Sequence, residues 1–447
     1  MRATPAPDPL PPPPFERIRG ELRVEDLSVS RLAEEFGTPF YLMSEARIRS
    51  NARRFLAAFR PLWPDYRLLY ALKANPNPAV VRILASEGCG ADCSSPAEIR
   101  ISREAGVAPE DSLYTGAYPS EADLSTALEA RVPINLDDPA LLGRLLELGS
   151  PRALSFRLNP GRTASGPEGL RFAGRQAKFG VPLRAAVRGL ADAQRAGIAR
   201  LGLHTMPGSN VLDASHFGRV GAFLAQAIRA ARSALGRDLD FLDAGGGFGV
   251  PYRPSEAPLD LVSAAERLTG ALSAAWPSDA RPRSLRLLNE PGRYLVADST
   301  VLVTRVTHVK AGRPPFVGVD AGMHTLLRPA LYGAYHAVHP VRRRPGPAVP
   351  IQLVGPVCEN TDVLADRRRL PPLKVGDLVA LGNVGAYGFS MASQYNTRPR
   401  PAEVLVHSGR AEAIRTAESF GDLVTRVVVP AHLGGGPGTP RSPEVAG

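Results

Sequence analysis

Cysteine is scarce in this chain. Its three residues, Cys89, Cys93 and Cys358, are too few for a disulfide framework, and Cys89-x3-Cys93 has no second ligand pair to complete a zinc site. No metal is therefore expected, and a reducing cytoplasm fits. Long hydrophobic runs are missing too. Nothing approaches the ~20 apolar residues of a membrane span, and the proline-rich stretch Met1–Pro14 has no apolar core of signal-peptide type. Acidic residues are the minority, 43 Asp and Glu against 54 Lys and Arg, a formal charge of +11. That excess does not mark a nucleic-acid binder, because the basic residues are mostly arginines scattered among Ala, Gly and Pro. The short clusters Arg342–Arg344 and Arg367–Arg369 lack interleaved aromatics and read as solvated loops. What remains is the profile of an enzyme of ordinary size, whose 447 residues leave room for two or three domains.

Strand and helix signals alternate from about Ser44. Ile48, Ala52, Phe55, Leu56 and Phe59 share one helical face that starts near Ser44 or Glu45, and Asn77-Pro78 can open a further helix that Gly88 stops. Strands are expected at Gly90–Cys93, Pro133–Leu136, Leu154–Leu158, Gly202–His204, Leu239–Asp243 and Leu285–Asn289. Seven or eight β-then-α units over about 250 residues predict an α/β fold, a parallel (β/α)8 barrel, with an open doubly wound sheet as the second choice. After Asp298 the texture changes. Val301–Val309, Phe316–Val319, Ile351–Val354, Asp377–Leu381 and Glu403–Val406 have little helix between them and predict a mostly antiparallel β domain, a sandwich or barrel. The expected layout is an arm over 1–15, a segment over 16–43 joining the β domain, the barrel over 44–298, the β domain over 299–430 and a disordered Gly/Pro-rich tail over 431–447.

The most informative residue is Lys73. It ends the run Arg67-Leu-Leu-Tyr-Ala-Leu-Lys73-Ala-Asn75, which reads as a buried strand that Pro76 and Pro78 stop. Alternation puts Lys73 on one face with Leu69 and Ala71, where desolvation is expected to lower its pKa and favour the neutral amine that condenses with carbonyl cofactors. Taken alone, a strand-end lysine is more often structural. Asp243-Ala-Gly245-Gly-Gly247-Phe-Gly249 follows another apolar strand and could bring backbone N–H groups to a phosphate, although a tight turn is the commoner reason for such a run. It lacks the Gly-x-Gly-x-x-Gly order of a dinucleotide site. Glu290-Pro-Gly-Arg293 offers a carboxylate and a guanidinium after a third strand, either a local ion pair or partners for a cofactor with a basic ring nitrogen and a phosphate.

Together these segments carry a resemblance. Tyr70-Ala-Leu-Lys73-Ala-Asn75, Lys178-Phe-Gly180, Gly245-Gly-Gly247, Glu290-Pro-Gly-Arg293, Cys358-Glu359 and Gly385-Ala-Tyr387-Gly388 stand in the order seen in the pyridoxal-phosphate-dependent amino-acid decarboxylases of alanine-racemase-like fold. Asp320–Tyr332 and Gly385–Ser393 are most similar to the diaminopimelate decarboxylase group, and the likeness spans roughly residues 20–410. It implies that Lys73 holds pyridoxal 5'-phosphate covalently and that Glu290 pairs with the pyridine nitrogen. Asp92, Met206, Ser209, Gly245, Gly246, Gly247, Gly292, Arg293 and Tyr387 would complete the cofactor site. Cys358 would return a proton to the carbanion, reaching the site from the partner subunit of a homodimer with shared active sites. Arg293, Arg328, Tyr332 and Tyr387 would receive the substrate, with Glu359 accepting from a distal ammonium and Arg328 binding a distal carboxylate. An amino acid with both groups at its far end is meso-diaminopimelate, whose decarboxylation gives L-lysine.

One departure stands out. The family usually has His-x-His-x-Gly-Ser, and here the run is His204-Thr-Met206-Pro-Gly208-Ser209, so Met206 takes the ring-stacking position. Asn360-Thr361 likewise replaces the usual Ser-Gly after the Cys-Glu pair. A decarboxylase of specialised metabolism acting on a related or carrier-bound amino acid is therefore the second reading, and a non-catalytic cofactor-binding homologue the third.

Overall fold

Eight parallel strands close on themselves in the computed structural model of the protein, which describes residues 8, 10–161, 173–174, 177–206, 208–277, 282 and 284–433. They are β1 (Tyr66–Ala71), β2 (Gly90–Cys93), β3 (Ser112–Gly116), β4 (Ile134–Leu136), β5 (Leu154–Leu158), β6 (Leu201–Thr205), β7 (Phe241–Asp243) and β8 (Arg286–Asn289). Each pairs with the next in sequence, and β8 pairs with β1 through Leu287–Tyr66 and Asn289–Leu68. A helix follows every strand, so the connections run outside the barrel and the strand C-termini open on one face. Before β1, helix Glu45–Phe59 is capped by Ser44 Oγ and buries Ile48, Ala52, Phe55, Leu56 and Phe59 on the face the spacing predicts. Asn77 caps helix Pro78–Ser86 in the same manner.

Strand β3 has no counterpart among the sequence expectations. Ser-Leu-Tyr-Thr-Gly is too polar to register as an apolar run, yet Ser112, Leu113, Tyr114 and Gly116 are all buried against β2 and β4. The expected strand at Arg67–Asn75 is shorter than its apolar run suggests. It ends at Ala71, and Leu72–Ala74 form a 3-10 turn, so Lys73 does not alternate with Leu69 and Ala71.

Beyond the barrel a second sheet is built mostly from antiparallel pairs. Its order runs Val363–Leu370, Val349–Val354, Phe316–Val319, Thr300–Lys310, Phe40–Ser44, Ala402–His407, Arg410–Arg415, with Leu378–Leu381 attached to the long strand and Val338–Pro340 paired in turn with Leu378–Leu381. Phe40–Ser44 pairs antiparallel with Thr300–Val303 and parallel with Ala402–Val406, which threads the start of the chain through the sheet. The expectation of solvated loops fails at Arg367–Arg369. These residues lie in strand Val363–Leu370, and Arg368 stacks 3.3 Å from the centre of the Tyr335 ring. Arg367 and Arg369 remain exposed, while the Arg368 side chain covers the face of the Tyr335 ring. Arg344 is also tied down, by Asp377 at 2.6 Å.

The two units are stitched together beneath the Lys73 turn. Glu403, fully buried in the β sheet, accepts from Asn75 Nδ2 (3.0 Å), Asn77 Nδ2 (2.9 Å) and Arg415 Nε (2.8 Å). The Tyr387 N–H donates to the Ala74 carbonyl at 2.8 Å. Ahead of the sheet, Asp8 accepts from the Val338 N–H (2.9 Å) and from the Tyr335 hydroxyl. The expected tail from 434 onward, and residues 1–7 and 9 of the arm, lie outside the described residues.

Candidate active site

The C-terminal ends of β1, β2, β4, β6, β7 and β8 converge on one cluster of charged groups. Lys73 Nζ donates to Asp92 Oδ2 at 2.6 Å, and Asp92, at the end of β2, is fully buried. Although protein surrounds the lysine, its side chain keeps 42 % of its surface, because it borders the open space at the barrel mouth. Its charge state corrects the sequence expectation. Burial acts to lower the Lys73 pKa, but Asp92 and Glu290 outweigh it and hold the ammonium above its ordinary value. The neutral amine is not the resting form beside these carboxylates.

Glu290, just past β8, is anchored by a chain of hydrogen bonds across the barrel. Ser155 Oγ donates to Asn135 Oδ1 (2.8 Å), which turns the Asn135 amide nitrogen toward His204 Nδ1 at 3.3 Å. A ring nitrogen facing an amide N–H must accept, so the His204 proton sits on Nε2, which lies 3.3 Å from Glu290 Oε2. Burial acts to raise the Glu290 pKa, but His204 and Lys73 prevail and hold it down at about 2. Its neighbours move the other way. Burial and the charge of Glu290 push Asp92 up to about 6 and Asp243 well upward. His204, Asp243 and Glu290 are also the group among the described residues whose ligand atoms lie close enough for a metal, all within 4.8 Å. Here His204 is already engaged with Glu290, and Asp243 with the Gly245 N–H.

The glycine run after β7 folds back against this cluster. Gly245 has φ +70, and a Cβ there would lie 2.2 Å from the Thr205 carbonyl oxygen, so no other residue fits. Its N–H donates to Asp243 Oδ1 (2.7 Å), and the Gly246 N–H donates to Met206 Sδ (3.2 Å). Of the three N–H groups expected to meet a phosphate, that of Gly247 has no acceptor among the described residues. Met206 thus reaches the cluster through its sulfur. Pro207 lies outside the described residues. Gly292 lets the β8 loop press on the Lys73 turn, since a Cβ there would stand 2.9 Å from Ala74 Cβ.

Arginines form the other end of the site. Arg293 and Arg328 are both buried, and both donate to the Tyr252 hydroxyl, at 2.7 and 3.1 Å. Arg293 also reaches Ser209 Oγ (3.4 Å) and lies 4.9 Å from the centre of the Tyr387 ring. Tyr332 ends the short helix that begins at Arg328 and is half-buried. Tyr387 adopts φ +59, which turns it into the site while its N–H holds the lysine turn. No carboxylate pairs with either guanidinium among the described residues. Sequence reasoning missed Asn135, Ser155, Tyr252 and His336. Tyr252 follows the glycine run by three residues, a position that could have drawn notice.

Cys358 and Glu359 are not brought to this cluster. They sit exposed on the β domain, where the Cys358 N–H donates to Asn396 Oδ1 (3.0 Å) and Glu359 accepts from the Tyr395 hydroxyl (2.6 Å). A cavity of about 300 Å³ between helix Glu45–Phe59, Pro11–Pro12 and the β domain also stands apart, sharing Tyr252 with the site.

The cluster fits a cofactor with a basic ring nitrogen and an anionic arm. Glu290 Oε1 is buried without a partner, an acceptor awaiting an N–H, and Arg293 Nε is a buried donor in the same condition. The family described as "Pyridoxal-dependent decarboxylase, pyridoxal binding domain" matches residues 45–297. Diaminopimelate decarboxylase of Methanothermobacter thermautotrophicus is 42 % identical, over 93 % of this chain and 97 % of that protein. Its counterpart from Archaeoglobus fulgidus is 38 % identical, over 94 % and 100 %. A solved diaminopimelate decarboxylase from M. jannaschii in complex with L-lysine superposes with a TM-score of 0.88 at 30 % identity, covering 95 % of this chain and all of that one.

Proposed function

Because the chain belongs to the pyridoxal-dependent decarboxylases, we propose that it converts meso-diaminopimelate to L-lysine and carbon dioxide with pyridoxal 5'-phosphate as cofactor. The observation that carries the reading is the pairing of a lysine set among carboxylates with two buried guanidiniums that meet no carboxylate among the described residues. When bound, the cofactor supplies an aldehyde for amines and a ring that accepts the electron pair left by departing carbon dioxide.

The residues divide that work. Lys73 Nζ is the attachment point, oriented by Asp92. Glu290 stays anionic and would offer Oε1 to a ring N–H, while His204, its Nδ1 facing the Asn135 amide, donates from Nε2 to Oε2. Ser209, the Gly247 N–H and Arg293 line the place for the phosphate, and Tyr387 closes over it. Arg328 and Tyr332 take the carboxylate at the substrate's unreactive end. Cys358 holds on Sγ the proton that replaces the lost carboxylate, and Glu359 accepts from the distal ammonium. Both are exposed on the β domain, which supports a homodimer in which each copy completes the other's site. Cys358 must stay a free thiol for this, which suits the cytoplasm, and no helix among the described residues is long and apolar enough to cross a membrane.

Borohydride treatment of the yellow holoprotein should fix the cofactor to one peptide. The chain has four lysines, so mapping identifies which of them carries it. Lys73→Ala should abolish the label, and a label retained in that variant overturns the assignment. A panel of meso-diaminopimelate, lysine, ornithine and arginine, scored by released carbon dioxide, tests the substrate. Turnover of another member and not of diaminopimelate sinks it. Mixing Lys73→Ala with Cys358→Ala should restore about a quarter of the parent activity, because half the random dimers carry one intact site of two.

A further inference from the structure

Arg328 has its guanidinium held from two sides. One Nη1 hydrogen goes to the Tyr252 hydroxyl (3.1 Å) and the other to His336 Nε2 (3.1 Å). His336 can accept because its second nitrogen, Nδ1, lies 2.9 Å from the Gly382 carbonyl, which takes a proton and gives none. The tautomer is thereby fixed, and the fully buried ring is neutral, its pKa lowered by burial and by Arg328 to about 3. Tyr252 meets His336 edge to face at 5.4 Å, and the guanidinium lies 5.0 Å from the centre of the Tyr252 ring. With Nη1 saturated, the Nε and Nη2 edge of Arg328 has no protein partner among the described residues. That edge is the pair of parallel N–H groups a carboxylate can take bidentately.

We propose that Tyr252 and His336 are positioning residues that turn the Nε–Nη2 edge of Arg328 toward the distal carboxylate of the substrate, with Tyr252 fixing its spacing from Arg293. The inference rests on the dicarboxylic substrate proposed above. A guanidinium on a long side chain can rotate, and each rotation offers a carboxylate a different edge. Tyr252 comes from the loop after β7 and His336 from the β domain, so the edge is set where the two units meet. Neither residue touches the bond that breaks. Their effect should therefore appear in binding of the distal carboxylate and not in the chemical step.

L-lysine keeps the carboxylate that was distal in diaminopimelate, and 1,5-diaminopentane lacks it. Their dissociation constants from the holoenzyme, read as perturbation of cofactor absorbance, isolate the contact. Tyr252→Phe keeps the ring and removes the oxygen. It should weaken L-lysine about 10- to 100-fold, the effect of one hydrogen bond to a charged group, and leave 1,5-diaminopentane within about twofold. The KM for diaminopimelate should rise in step, with kcat within about threefold. His336→Leu should behave likewise, and His336→Gln, whose amide oxygen can stand near Nε2, should recover most of the loss. Equal weakening of both ligands, or a fall in kcat at unchanged KM, overturns the positioning role. Should His336→Leu fail to fold, Tyr252→Phe and His336→Gln decide. If the parent enzyme itself does not prefer L-lysine to 1,5-diaminopentane, the substrate reading fails and this inference falls with it.

Discussion

At the lysine end of the site three carboxylates, Asp92, Asp243 and Glu290, surround one ammonium and one imidazole, whereas at the arginine end two guanidiniums share a phenol and meet no carboxylate among the described residues. Each end alone is an unfavourable thing to bury. Side by side they make a site with a direction: a basic nitrogen is welcome at one end and anions at the other. The lysine end balances its excess internally, through hydrogen bonds and by raising the pKa of Asp92 and Asp243 so that Glu290 can remain ionised. The arginine end keeps both charges and leaves their complement to a ligand. One end is a tuned set of protons, the other a fixed anion trap.

The contrast can be broken most forcefully at Glu290. Glu290→Gln keeps the shape and removes the charge, and kcat should fall on the order of 10³-fold with KM little changed. Steady-state carbon dioxide release measures it, and a loss confined to KM would erase the distinction between the ends. Arg328→Lys should do the reverse, raising KM for diaminopimelate roughly 10- to 100-fold because a point charge replaces a bidentate edge.

Acid should separate the ends further. Burial lowers His336 to about 3 and His339 to about 4, from an ordinary 6.5. As the pH falls below 6.5 the unfolded chain gains those protons and the fold does not, so stability declines. Asp92, raised to about 6 from 3.8, has the opposite sign, since the fold binds its proton first and is favoured by acidification across that window. Between pH 7 and pH 5, His336→Gln should lose roughly 1–2 kcal/mol less stability than the parent, and Asp92→Asn should lose more than the parent. Urea denaturation at the two pH values gives both differences, and equal losses in all three proteins would refute the assignment of charge states. The smallest effect is expected at Met206. Met206→Leu removes the sulfur acceptor of the Gly246 N–H and should cost about 1 kcal/mol, a fall of about 2 °C in Tm. A large loss of activity there would instead show that the thioether serves the lysine end directly.

Much of this was legible from local patterns. Apolar runs located seven of the eight barrel strands, and the capping residues Ser44 and Asn77 stood where their helices begin. The failures have a common cause in contacts made far along the chain. Strand β3 is buried by its neighbours and not by its own composition. Arg367–Arg369 look solvated until Tyr335 supplies a ring for Arg368. Lys73 was found by its motif, but its charge state depends on Asp92 and Glu290, which approach from β2 and β8. His336 carries no local mark and Tyr252 only its nearness to the glycine run, because their meaning lies in Arg328, 8 and 76 residues away.

The anchoring of Asn75 and Asn77 to Glu403 limits how this protein could be divided or recombined. A chain shortened to its first 300 residues would leave those two amides without their shared acceptor and Lys73 on a loosened hinge. Swapping the last hundred residues with those of a relative should succeed where the incoming sheet brings an acid matched to both asparagines. The unit of inheritance for this site is thus longer than the barrel that displays it.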